Sequence, residues 1–146
     1  MGIITTGDDG TITDVEDTGG SLRESESVEF YNGIIIPGFV NCHCHLELSH
    51  LKGAIPKGTG LGGFLTELQQ IRKSSPETII SAASAADSAM YDKGIVLCAD
   101  ICNNSLTFSI KKKSRISYNN LLAVLATDPG RSETRITELV KLAEES

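Results

Sequence analysis

One stretch constrains the fold more than any other: Ile95-Val96-Leu97-Cys98-Ala99-Asp100 is apolar at both strand parities almost to its end. A strand with one wet face alternates, whereas a run apolar on both faces must be covered on both, as in a parallel α/β sheet. Its flanks agree. Upstream, Ser74 or Ser75 caps a helix with Pro76 near its first position and Glu77 in its first turn. That helix carries Ile79, Ile80, Ala83, Ala86 and Met90 on its apolar stripe and stops at Gly94. Earlier still, Gly62-Gly63 precedes Phe64, Leu65, Leu68 and Ile71 at helical spacing, and Phe39 to His43 reads as another buried strand. Downstream come a short helix over 106–112, a buried strand over 121–126 and a helix over 132–145. Repeated strand–helix units predict a parallel sheet with helices packed outside it. Three such units do not close a barrel, which takes eight strands and roughly 250 residues. The chain is therefore either a small open α/β sheet or the front part of a larger barrel.

Before residue 38 the texture is different. β-branched runs over 3–6 and 11–15 flank Gly7-Asp8-Asp9-Gly10 and predict a hairpin. Asp17 to Ser27 is a polar linker, Val28 to Phe30 a short strand, and Asn32-Gly33 a two-residue turn into Ile34–Ile36. Pro37-Gly38 breaks the chain there. Two parts are expected, 1–37 and 38–146.

Charge excludes several partners. Thirteen Lys and Arg stand against nineteen Asp and Glu, a net charge of −6, with no footprint for nucleic acid or an anionic membrane. Lys111-Lys112-Lys113 with Arg115 is the basic cluster, and it reads as a solvated helix end. The apolar runs, Ile34–Ile36, Ile95–Ala99 and Leu121–Ala126, fall far below the roughly 20 residues of a membrane span. No secretory signal follows Met1, and the four cysteines read as thiols, so cytoplasm is the expected compartment.

Chemistry concentrates in Pro37-Gly38-Phe39-Val40-Asn41-Cys42-His43-Cys44-His45-Leu46-Glu47-Leu48-Ser49-His50. On a strand, His43 and His45 point to one side while Cys42 and Cys44 point to the other. Two imidazoles at i and i+2 converge on one divalent ion with little rearrangement. A mixed site from four consecutive residues needs ligands from opposite faces and is disfavoured. Cys98 and Cys102 form no Cys-x-x-Cys, which argues against a zinc finger or a thiol redox protein. The His pair sits at the carboxyl end of the first buried strand, the end where such sheets keep their active sites. His50 reads as a surface loop residue, Asp100 as a helix cap or loop anchor at the same rim, and Asn103 and Asn104 as turn formers.

Ile36-Pro37-Gly38-Phe39-Val40-Asn41-x-His43-x-His45-Leu46 resembles the first barrel strand of the amidohydrolase superfamily. Asp8 to Val15 is similar to a hairpin of the small β-sandwich that precedes that barrel, and His45 to Gly53 looks most like the aminohydrolase, or deaminase, branch. The resemblance implies the first three βα units of a TIM-type (β/α)8 barrel, preceded by part of a β-sandwich. It implies one divalent ion on His43 and His45, zinc first, with iron or manganese as alternatives. The implied reaction is hydrolytic deamination of a nucleoside-like or heterocyclic small molecule by a metal-activated water. Glu47, at the same strand parity as the two His, is implied as a substrate-binding residue, with a solvated loop carboxylate as the alternative. The family takes further His and Asp ligands from later strands, whereas all three His of this chain lie by residue 50. The chain is thus expected to be an N-terminal fragment, inactive alone, its catalytic residues outside it, with a homo-oligomer as an open alternative for its assembly. The competing class is a non-catalytic α/β binding or scaffold module.

Overall fold

The computed structural model describes residues 1–21, 28–123 and 132–145. The chain divides into two compact units, Met1–Ile35 and Ile36–Ser146. Among the described residues no helix is long and apolar enough to cross a membrane.

The first unit is a two-stranded antiparallel sheet of β1 (Gly2–Thr6) and β2 (Ile12–Asp17). Its turn is built by Asp9, whose carboxylate accepts the Thr11 N–H at 2.9 Å and the Thr11 hydroxyl at 2.8 Å. Gly10 supplies the left-handed residue, φ 81°, and donates to the Gly7 carbonyl at 2.9 Å. The register slips between Thr5 and Thr6, and Thr18 closes the far end by donating to the Met1 carbonyl. The hairpin is as expected; the strand expected at Val28–Phe30 is not formed, and Ile34–Ile36 after the Asn32-Gly33 turn is not a strand either. Phe30, Tyr31, Ile34 and Ile35 all remain exposed.

The second unit is a mixed α/β arrangement around a three-stranded parallel sheet in the order β3 (Phe39–Cys44), β4 (Ile95–Cys102) and β5 (Ser117–Leu122). Between β3 and β4 lie a 3-10 turn (Leu46–Leu51), α1 (Gly60–Ile71) and α2 (Pro76–Tyr91). Short α3 (Phe108–Lys111) separates β4 from β5, and α4 (Ser132–Glu145) follows. The α2 start is as read: Ser75 Oγ accepts the Thr78 N–H at 3.3 Å, with Pro76 next. Gly94, φ 81°, ends the turn after α2, and its carbonyl takes the Phe39 N–H at 2.8 Å, which starts β3 beside β4. Gly38 is required at this entry because a Cβ there would stand 2.5 Å from Val96 Cγ1.

Strand β5 begins four residues earlier than its apolar run suggested, and residues 124–126 of that expectation lie outside the described residues. The ladder with β4 runs unbroken from Leu97↔Ser117 to Cys102↔Leu122, so it recruits polar Asn119 and Asn120 that an apolar criterion passes over. Nor is β4 covered on both faces throughout. Cys98, Asp100 and Cys102 are buried against the helices, while Val96 and Leu97 are exposed. Val40, the ladder partner of Leu97, and Leu121 on β5 are exposed as well.

On the covered face, Asp87 of α2 accepts the Tyr118 hydroxyl at 2.8 Å and the Ser114 hydroxyl at 2.6 Å, tying the start of β5 to α2. Burial, then the bond to Asp87, raises the Tyr118 phenol far above its ordinary value of 10.0. The folded state favours the protonated phenol, so its contribution is complete below pH 10.0 and is lost as pH rises beyond it. Urea unfolding of Tyr118→Phe should show a deficit of about 1 kcal/mol at neutral pH that shrinks at alkaline pH. A deficit independent of pH would disprove the linkage.

Candidate functional site

The ladder between β3 and β4 is irregular beside the two histidines. Asn41 pairs with Cys98 and Cys44 with Asp100, so Cys42 and His43 together oppose the single residue Ala99. This is a β-bulge, the device that re-aims side chains at a sheet rim. It corrects the strict alternation expected of Cys42 and Cys44. Cys44 is half-buried beside Cys98 and Asp100, whereas Cys42 is exposed. Burial, with Cys98 and Asp100 adding to it, pushes the Cys44 thiol far above its ordinary range, and burial also raises Cys98 and Cys102. None of these three is poised as a thiolate nucleophile.

The two histidine rings lie close together. Their ring centroids are 5.2 Å apart, edge to face at 68°. His43 is exposed, its N–H donating to Asn41 Oδ1 at 3.2 Å, and His45 is half-buried. Two neutral imidazoles suit two positions of a tetrahedral divalent ion. Among the described residues no group of three or more His, Cys, Asp and Glu is gathered to complete such a shell.

The strand ends at Cys44, so the parity argument for Glu47 does not hold: Glu47 lies in the 3-10 turn. It is buried, at 3% exposure, and its Oε2 accepts the Asn103 N–H at 3.1 Å and the Asn104 amide at 2.7 Å. Burial raises its pKa, opposed by the Asn103 N–H, Arg72 and His45. Asn103 also reaches the Ala123 carbonyl, and Asn104 Oδ1 accepts the Leu106 N–H at 3.0 Å. The two asparagines therefore shape the loop after β4, as turn formers, and brace Glu47 as well. His50 is half-buried, with Nε2 3.3 Å from the Arg72 carbonyl and a buried Nδ1 that has no hydrogen-bond partner among the described residues.

Asp100 is the anchor read from its position. It is fully buried, and Oδ1 accepts the Leu46 N–H, immediately after His45, at 2.7 Å. Its Oδ2 forms an ion pair with Lys111 Nζ at 2.5 Å, a contact outside hydrogen-bond geometry. Lys111 in turn donates to Asn120 Oδ1 at 2.7 Å and lies over the Phe108 ring. Lys111 is thus not a solvated helix end but a buried counter-charge, while Lys112 and Lys113 are exposed as expected. The missed signal was available: a carboxylate inside an apolar strand needs a cation, and Thr107, Phe108 and Lys111 share one helix face.

On the other side of His45, an open cavity of about 310 Å³ lies between the 3-10 turn and α1. Leu48, Leu51, Ile55, Phe64 and Leu68 form its apolar walls.

Removing one partner of the buried pair strands the other charge. Lys111→Met is expected to cost about 3 kcal/mol in urea unfolding, and Asp100→Asn combined with Lys111→Met to recover at least half of that. A single-variant cost below about 1 kcal/mol would show the pair to be energetically idle. In comparison with protein-family models, curated proteins and solved structures, none matches this chain.

Proposed function

We propose that His43 and His45 supply two ligands to a single divalent ion in a hydrolase acting on carbon–nitrogen bonds other than peptide bonds. Zinc is the first candidate, with iron and manganese as alternatives. The observation that carries this reading is the ring pair, 5.2 Å apart, at the carboxyl end of a parallel strand and beside a bulge. In this reading the second unit is the first three βα units of an amidohydrolase-type (β/α)8 barrel, and the hairpin belongs to the small sandwich before it. The strand order β3-β4-β5 in parallel and the exposed apolar side chains of Val40, its ladder partner Leu97, and Leu121 further along β5 support it. Barrel interiors are filled by such side chains.

A divalent ion held by the pair supplies Lewis-acid activation of water, suited to hydrolytic deamination at an amine-bearing ring carbon of a nucleoside-like or heterocyclic substrate. The chain's own residues hold and orient. His43 and His45 bind as neutral imidazoles. Asp100 fixes the backbone directly after His45 through the Leu46 N–H. Glu47 is the substrate contact of this reading, its carboxylate pre-oriented by Asn103 and Asn104. Four free thiols suit a reducing compartment, the cytoplasm. The reading places the remaining ligands and the catalytic acid on strands outside this chain.

Two imidazoles make an incomplete shell, so zinc should bind weakly and be removed readily by chelators. Calorimetric zinc titration should show binding abolished by His43→Ala or by His45→Ala and kept by Cys42→Ser and Cys44→Ser. Residues 1–146 should not deaminate adenosine-type substrates with zinc, iron or manganese added. Binding that follows the cysteines instead, or zinc ignored by every variant, would leave the non-catalytic α/β module as the better reading.

A further inference from the structure

The histidine pair is half of a metal shell, and it adjoins an exposed face of the sheet. Zn–N bonds of about 2.0 Å set at the tetrahedral angle bring the centroids of two imidazoles on one ion to about 5 Å. The rings of His43 and His45 stand 5.2 Å apart, and His43 is exposed. Two positions of a shell are thus supplied, and among the described residues this chain gathers no third His, Cys, Asp or Glu to extend it.

The sheet face beside the pair is uncharged. Opposite the buried Cys98, Asp100 and Cys102, strand β4 presents Leu97, Ala99 and Ile101, laddered to Ser117, Asn119 and Leu121 on β5. On β3, Val40 stands beside Leu97, and the bulge sets Cys42 and His43 against Ala99. Val40, Leu97 and Leu121 are each at least 40% exposed. No Asp, Glu, Lys or Arg lies among these residues, although the chain carries a net charge of −6. Two copies of this face meet without the like-charge repulsion that an acidic surface brings. Three aliphatic side chains fall well short of the roughly 800 Å² per partner of a stable pair, so the face alone does not dimerise the chain.

We propose that a second copy of this chain completes the shell: His43 and His45 of two copies, related by a twofold axis through the ion, bind one divalent ion, zinc first. A twofold interface sets the same patch against itself, and an ion bound only by the pair of copies adds the stability that the apolar contact lacks. Four imidazoles leave no position for water, so this dimer is a closed, non-hydrolytic state of the chain. The inference rests on the proposed function only for the assignment of the two histidines as ligands.

Sedimentation velocity of the whole chain, over a range of protein concentrations, follows its mass as zinc is added. Without zinc the chain should sediment as a monomer. The dimer should peak at half an ion per chain and decline in excess zinc, as each copy takes an ion of its own. Cobalt(II) in place of zinc should give the intense visible band of a tetrahedral shell in the dimer and lose it on dilution. His43→Ala or His45→Ala should abolish the dimer, and Cys42→Ser should keep it. Ser117→Glu, at the far end of the β5 ladder on the same face, should keep zinc binding but need about fivefold more protein to dimerise, the size of one exposed like-charge contact. One zinc per chain at monomer mass, at every concentration, would overturn the dimer and leave the two-ligand reading of the proposed function standing. No zinc binding at all would overturn both. A dimer that forms without zinc, survives the histidine substitutions or ignores Ser117→Glu would place the contact elsewhere and overturn the proposal alone.

Discussion

The second unit depends on one buried carboxylate. Asp100 sits fully enclosed at the centre of the sheet and joins three elements: the backbone after β3, the ammonium on α3 and, through that ammonium, Asn120 on β5. A charge so placed is costly unless it is matched; here Oδ1 takes the Leu46 N–H and Oδ2 faces the Lys111 ammonium outside hydrogen-bond geometry. Asp100 stands in the ladders opposite Cys44 at the end of β3 and opposite Asn120 of β5. That end of the sheet carries the histidines.

Much of this was legible beforehand, for physical reasons. The α2 helix announced itself through a cap, a proline and an apolar stripe that agree with one another, and the hairpin through Gly and Asp between β-branched runs. Parallel pairing of β3 with β4 followed from the helices between them. Periodicity failed where polar residues belong inside. Asn120 lies in a strand because Lys111 needs it, and Lys111 is buried because Asp100 needs it. A carboxylate inside an apolar strand announces that a cation is needed, but which lysine answers it, and which strand residue that lysine then needs, is set by partners apart in the chain.

The site shows the same division. The approach of His43 to His45 follows from their spacing, but the bulge that separates Cys42 from Cys44 is a property of two strands in register. Glu47 left the strand for a 3-10 turn because Leu46 is captured by Asp100, a partner 54 residues away. The cavity walls come from segments that read separately as loop and helix, and only their juxtaposition makes a concave surface.

That separation along the chain has a consequence for the order of assembly. The Lys111–Asn120 bond spans nine residues, whereas the Asp100–Leu46 bond spans 54 and the Asn104–Glu47 bond 57. Closing a loop costs entropy that grows with its length, and short-range contacts form ahead of those spanning long segments. The β4–α3–β5 segment is therefore the natural nucleus, able to form with its own ion pair already inside. The strand bearing the histidines docks afterwards, onto a carboxylate that has one oxygen waiting. The strand that bears His43 and leads into His45 is thus joined to this nucleus by its longest-range bonds, and its capture closes the three-stranded sheet.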